Sequence, residues 1–178
     1  AAKAEGLPVT CEVTPHHLSL TEDDVLTHGT YARMNPPLRK EADRQALIDA
    51  LADGTIDMIA TDHAPHTAEE KAREFAKAPS GITGLETAFS VCNTCLVKTG
   101  RLTPMQLIGK MSKTPAEVYG LTGRAVAEGN FARLVLLDWD SEMIYKEYKS
   151  KAINTPYTNM PLTGAPRAIV TGARVTAR

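Results

Sequence analysis

Between residues 61 and 66 the chain reads Thr61-Asp62-His63-Ala64-Pro65-His66, which sets one carboxylate and two imidazoles within five positions. A carboxylate in such a place can hold a metal ion through one oxygen and take a proton with the other. The imidazoles can act as ligands, acid–base groups or hydrogen-bond donors to an anionic substrate. The plainer reading is a polar loop capped by Asp62. Two further histidines, His16 and His17, are adjacent and invite a ligand reading, whereas His28, beside Gly29 and Thr30, reads as surface loop. Cys92-Asn93-Thr94-Cys95 has the C-x-x-C form, but it falls in a helical-looking stretch with no second pair to complete a zinc site, so buried packing is the expected role.

The elements that must position these groups alternate. A helical turn closed by Gly6 leads through Leu7-Pro8 to a strand over 9–13. A chain that opens in such a connection is expected to continue a longer protein. Residues 39–52 carry Ala46, Leu47, Ile48, Ala50 and Leu51 among charges, which predicts an amphipathic helix ended by Asp53-Gly54. The apolar run 56–60 then predicts a buried strand, and strand–helix–strand order implies parallel pairing. Asp62 therefore sits just past the C-terminal end of a parallel strand, where α/β folds and barrels place their sites.

Residues 67–77 are rich in Ala, Glu and Lys with no apolar face, so they are an exposed short helix or a mobile loop; 67–79 is expected to behave as a lid, poorly ordered without ligand. A helix over 85–97 follows. Thr103-Pro104 and Thr114-Pro115 each place an N-cap before a proline, predicting helices over 105–111 and 116–119. From about residue 129 the pattern changes to strands over 134–137 and 168–175, and 145–151 reads as a solvated charge run.

Composition excludes several classes. Twenty basic residues against 21 acidic ones give a net charge of −1, which favours neither nucleic acid nor an anionic membrane as partner. No apolar run approaches the ~20 residues that span a bilayer. Ala1-Ala2-Lys3-Ala4-Glu5-Gly6 lacks the order of a signal peptide, and three cysteines suit a reducing compartment, so a cytoplasmic location is the expectation.

Read together, Glu12-Val13-Thr14-Pro15-His16-His17-Leu18, Met34-Asn35-Pro36-Pro37-Leu38-Arg39, Gly54-Thr55-Ile56-Asp57, the Asp62 segment and Gly81-Ile82-Thr83-Gly84-Leu85-Glu86-Thr87-Ala88 resemble the dihydroorotase branch of the amidohydrolase superfamily, of the long-chain bacterial type. The similarity runs over nearly the whole chain. It implies an α/β fold: the C-terminal part of a distorted (β/α)8 metal-dependent hydrolase barrel over 1–128, and the C-terminal share of a small β domain over 129–178. It implies a site of two zinc ions, with Asp62 as metal ligand and proton shuttle and the other ligands upstream of this chain. Asn35, His66 and the backbone of Ser80 and Gly81 match substrate contacts, although family members often carry a bulkier residue where Ser80 stands. The strand before His16 and His17 supplies no ligand in the family. His63 matches either support behind the site or simple loop packing. Arg133 departs from the Ala-Asp that commonly precedes the following strand.

The activity so implied interconverts N-carbamoyl-L-aspartate and L-dihydroorotate in pyrimidine biosynthesis, on a small-molecule substrate, with self-association into a homo-oligomer and association with aspartate transcarbamoylase as expected partnerships. Hydantoinase or allantoinase chemistry is the alternative within the superfamily. A non-catalytic dihydroorotase-like partner of the transcarbamoylase is the alternative outside enzymes, and such relatives lose metal ligands, whereas this chain keeps Asp62 and His66.

Overall fold

A computed structural model describes residues 1–121 and 126–177; residues 122–125, within the first expected domain, and residue 178 lie outside the described residues. A 3-10 turn, Ala2–Glu5, is closed by Gly6 in the left-handed conformation and leads to strand β1, Glu12–Val13. Helix α1, Pro15–Ser19, starts where the Thr14 side chain accepts the His17 N–H, with Pro15 at a position whose missing donor costs nothing. Helices α2, Asp24–His28, and α3, Glu41–Asp53, carry the chain back to strand β2, Met58–Ile59. The two strands are parallel, Glu12 opposite Met58 and Val13 opposite Ile59. Both are shorter than the sequence predicts, because the regular pairing covers only two residues on each strand.

Helix α3 runs close to the predicted span and stops at Gly54, φ 90°. It buries Ile48 and Leu51, three residues apart on one face, against Val13, Leu18, Ile59, Leu96 and Leu107. Full burial of a leucine such as Leu51 contributes roughly 2 kcal/mol. A second core gathers Leu20, Met34, Ile82, Val91, Tyr145, Tyr157 and Leu162. Helix α5, Ala88–Cys92, lies between the two: Cys92 packs into the first core and Val91 into the second. Burial raises both thiols, Cys95 to about 12, consistent with the packing role expected of the pair.

Four expectations are corrected. The helix over 85–97 begins at Ala88 and continues past Cys92 as a π turn, Asn93–Val97. Thr103 does cap helix α6, Pro104–Ile108, through a reciprocal capping box with Gln106. Thr114 does not cap: helix α7, Thr114–Val118, follows directly from the π turn Gly109–Lys113, and that widened turn is where Pro115, lacking an N–H, is accommodated. The tail forms three antiparallel strands, β3, Arg133–Ile144, β4, Pro161–Thr171, and β5, Arg174–Ala177; the run 168–175 is split by a tight turn at Gly172, φ 58°. Tyr145, expected in a solvated run, is 1% exposed and its hydroxyl pairs with that of Ser90.

The tail sheet is fastened to α5. Asn93 donates to the carbonyls of Trp139 and Thr163 at 3.0 and 2.8 Å, and Ser90 donates to Gly164. Gly164 has φ 91°, and a Cβ there would stand 2.6 Å from the Asn93 amide nitrogen, so glycine lets the strand come this close. No helix among the described residues is long and apolar enough to cross a membrane.

Residues 67–81 are anchored rather than free. Thr67 and Glu70 form a capping box that opens helix α4, Ala68–Lys71, and both Lys71 and Ala78 are buried. The segment lacks an apolar face, and its anchors are mostly polar bonds to backbone carbonyls.

Candidate active site

Asp62 lies three residues past β2 with φ 47°, a left-handed conformation that a side chain other than glycine adopts at a cost and that asparagine and aspartate tolerate best. Its carboxylate is exposed, and among the described residues no hydrogen bond or ion pair engages it. Asp62 lines a groove of about 510 Å³ together with Asn35 and His17. The Asn35 amide is likewise exposed and without a protein partner among the described residues. Asn35 also borders a second hollow, about 390 Å³, whose lining includes Ser80, Arg33 and Phe75. Two of the expected residues thus share one groove, and Asn35 and Ser80 share the next.

His66 and Gly81 line neither hollow. The His66 ring donates through Nε2 to the Ser80 carbonyl at 3.0 Å, which leaves Nδ1 3.7 Å from a Glu70 carboxylate oxygen, an ion pair only when the ring is protonated. Gly81, φ 103°, is buried against the loop after β2: a Cβ would fall 2.6 Å from the Ala64 Cβ. The His66 group therefore reaches the site by holding Ser80, and Gly81 lets the two loops meet.

Three of the remaining histidines have defined jobs in the packing, and His28 closes helix α2. His17 donates from Nε2 to the Pro36 carbonyl at 3.0 Å, and because a carbonyl only accepts, its Nδ1 receives the Thr14 hydroxyl proton at 2.7 Å in the neutral ring. That bond ties α1 to the turn bearing Asn35. His16 is 2% exposed, and burial first, then the neighbouring His17 charge, lowers it to about 3, so the ring stays neutral. His63 accepts the N–H groups of Gly84 and Leu85 at 3.1 and 3.4 Å through Nδ1, which fixes its proton on Nε2 and makes it a brace for the turn into α5.

Sequence reasoning missed three residues that assemble the site. Asn154, buried, accepts the His66 N–H at 2.9 Å and donates to Ala64 and Gly81 carbonyls at 2.9 and 3.2 Å, stapling the Asp62 loop to the Ser80 loop. Arg33 donates to the Ala78 carbonyl and the Ser80 hydroxyl. Lys71 donates to the Pro79 and Gly81 carbonyls. Only Asn154 carried a local signal, the turn-like Asn154-Thr155-Pro156.

Among the described residues no group of three or more His, Cys, Asp or Glu side chains is placed to hold a metal ion. The groove carries two exposed carboxylates, Asp62 and Glu12; Asp62, past the end of β2, is the expected metal donor, and it supplies a single ligand.

The sequence profile of the amidohydrolase family matches residues 2–174. The chain belongs to the amidohydrolase family. Among its relatives are a dihydroorotase of Clostridium acetobutylicum, 47% identical over 98% of this chain and 42% of that protein, and one of Clostridioides difficile, 50% identical over 92% and 39%. The solved structure of an L-hydantoinase (dihydropyrimidinase) from Arthrobacter aurescens superposes with a TM-score of 0.89 at 31% identity, covering 99% of this chain and 41% of that one. The chain thus spans about two fifths of the length of the curated relatives it matches. These amidohydrolases agree with the α/β character of the fold and with a hydrolase barrel of which this chain forms a part.

Proposed function

We propose that the chain is the C-terminal part of a dihydroorotase that interconverts N-carbamoyl-L-aspartate and L-dihydroorotate in the cytoplasm, for pyrimidine synthesis. Residues 1–128 are read as its share of a distorted (β/α)8 barrel and residues 129–178 as its share of a small β domain, within a homo-oligomer that associates with aspartate transcarbamoylase. One observation carries the catalytic part of this reading: Asp62, past the end of a parallel strand, keeps a carboxylate without a partner among the described residues on the groove that Asn35 also lines. The choice of dihydroorotase over hydantoinase is supported by identities of 47% and 50% with dihydroorotases against 31% with the hydantoinase.

Asp62 would hold one of two zinc ions, the other ligands coming from the rest of the longer protein. Zinc, when bound, supplies Lewis-acid polarisation of a carbonyl and acidifies water. The second oxygen of Asp62 would take the proton that the attacking water gives up and deliver it to the ring nitrogen as the ring amide C–N bond breaks. The Asn35 amide and the Ser80 N–H orient the dihydroorotate ring and its carboxylate, Gly81, whose N–H and carbonyl are both engaged by protein groups, shapes the loop beside them, and His66 steadies Ser80 through its carbonyl.

Asp62→Ala in the full-length protein deletes ligand and proton carrier together. Turnover is expected to fall by at least the ~10²–10⁴-fold that a positioned acid–base group contributes, with metal content falling in parallel. Asp62→Asn keeps part of the metal and is still inactive. Near-wild-type turnover in either variant overturns the assignment.

A further inference from the structure

Lys71 is 2% exposed and forms no ion pair among the described residues. Its ammonium donates instead to two carbonyls, Pro79 and Gly81, each at 2.9 Å. Those two residues flank Ser80. From other directions, His66 donates to the Ser80 carbonyl at 3.0 Å, Asn154 to the Gly81 carbonyl at 3.2 Å, and the Gly81 N–H donates to the Arg33 carbonyl at 2.9 Å. Proline has no N–H, so the Ser80 N–H is the one backbone polar group of residues 79–81 that no protein partner engages among the described residues.

A charged donor buried without a carboxylate is costly unless its hydrogen bonds are well made. Here they are made to backbone, and the lysine is itself held: its N–H bonds the Thr67 carbonyl at 3.1 Å inside a capped helix, and its carbonyl takes the Thr30 hydroxyl at 2.5 Å. Burial first, and the Arg33 charge second, lower the ammonium to about 8, so it remains cationic at neutral pH. The geometry is that of a post fixed in α4 and the 30–33 segment, on which the 79–81 loop hangs by two carbonyls.

We infer that Lys71 is a positioning residue for substrate binding: by fixing the Pro79 and Gly81 carbonyls it sets the direction of the free Ser80 N–H and the distance between Ser80 and Asn35 across the hollow they share. This rests on the reading of Asn35 and the Ser80 backbone as substrate contacts. An ordinary structural lysine would act through the amount of folded protein, whereas a positioning lysine acts through the affinity of protein that is folded.

The test is steady-state kinetics of Lys71→Met in the full-length protein with dihydroorotate, with metal content measured alongside. Lys71→Met is expected to raise KM about tenfold or more with kcat within about threefold and metal content unchanged, the signature of lost binding shared by ground and transition states. Lys71→Gln, which keeps a donor for one of the two carbonyls, is expected to recover part of that loss. A folded Lys71→Met protein with wild-type KM, or one that loses only active fraction, refutes the inference. Should Lys71→Met fail to fold, Lys71→Gln decides by the same KM criterion. Asn35→Ala separates the two readings: if it raises KM while the Lys71 variants do not, only the role of Lys71 falls; if it leaves KM unchanged, the substrate-site reading beneath it falls.

Discussion

At the scale of residues, Asp62 was legible because a carboxylate past an apolar strand is a pattern that sequence carries, and its left-handed backbone and free oxygens agree with that position. Lys71 was not. A lysine in a charged run defaults to solvent, and the carbonyls that bury it belong to a loop eight and ten residues away. His66 shows the same limit in another form, since its ring was read as a direct contact and Nε2 is spent on the Ser80 carbonyl. His66→Ala is therefore expected to act by loosening Ser80: dihydroorotate binding should weaken severalfold, by the ~1 kcal/mol scale of one hydrogen bond, while zinc content stays near wild type. Metal analysis of the purified variant checks this, and zinc loss equal to that of Asp62→Ala would make His66 a ligand instead.

At the scale of elements, helix α3 was legible almost to its ends because Ile48 and Leu51 keep helical spacing and Asp53-Gly54 stops it. The start of α7 was misread because Thr114-Pro115 has the form of a cap, and the preceding π turn that admits the proline leaves no local trace. The division of 168–175 into β4 and β5 was missed because Gly172-Ala173 is a weaker turn signal than the flanking valines are strand signals. Leu51, 0% exposed in the first core, gives a direct check on α3: Leu51→Ala is expected to cost ~2–5 kcal/mol, read as a lowered midpoint of chemical denaturation. A loss below about 1 kcal/mol would mean that α3 is not seated on that core as described.

At the scale of the whole molecule, the groove at the candidate metal site carries the carboxylates of Asp62 and Glu12 and, among the described residues, no group of three or more His, Cys, Asp or Glu placed for a metal, whereas a zinc pair needs several ligands. The isolated 178 residues are expected to bind no stoichiometric zinc and to turn over no dihydroorotate. Metal analysis and an activity assay check this, and two tightly bound metals in the isolated chain would place the missing ligands within it.

The tail sheet has the order β3-β4-β5, so β4 is enclosed and, among the described residues, the outer strands each show one unpaired side. Along β3 the pairing register shifts twice, between Leu136 and Leu137 and between Asp138 and Glu142, and Asp138, Asp140 and Glu142 add charge there. Such irregularities keep a border from being copied. The pairing of β5 with β4 runs without a shift, Val175 is exposed, and the strand carries one charged side chain, Arg174. Its outer N–H and C=O groups offer a ready template, so a chain handled alone will meet its own copies first along that margin, with fibrillar association growing as concentration rises.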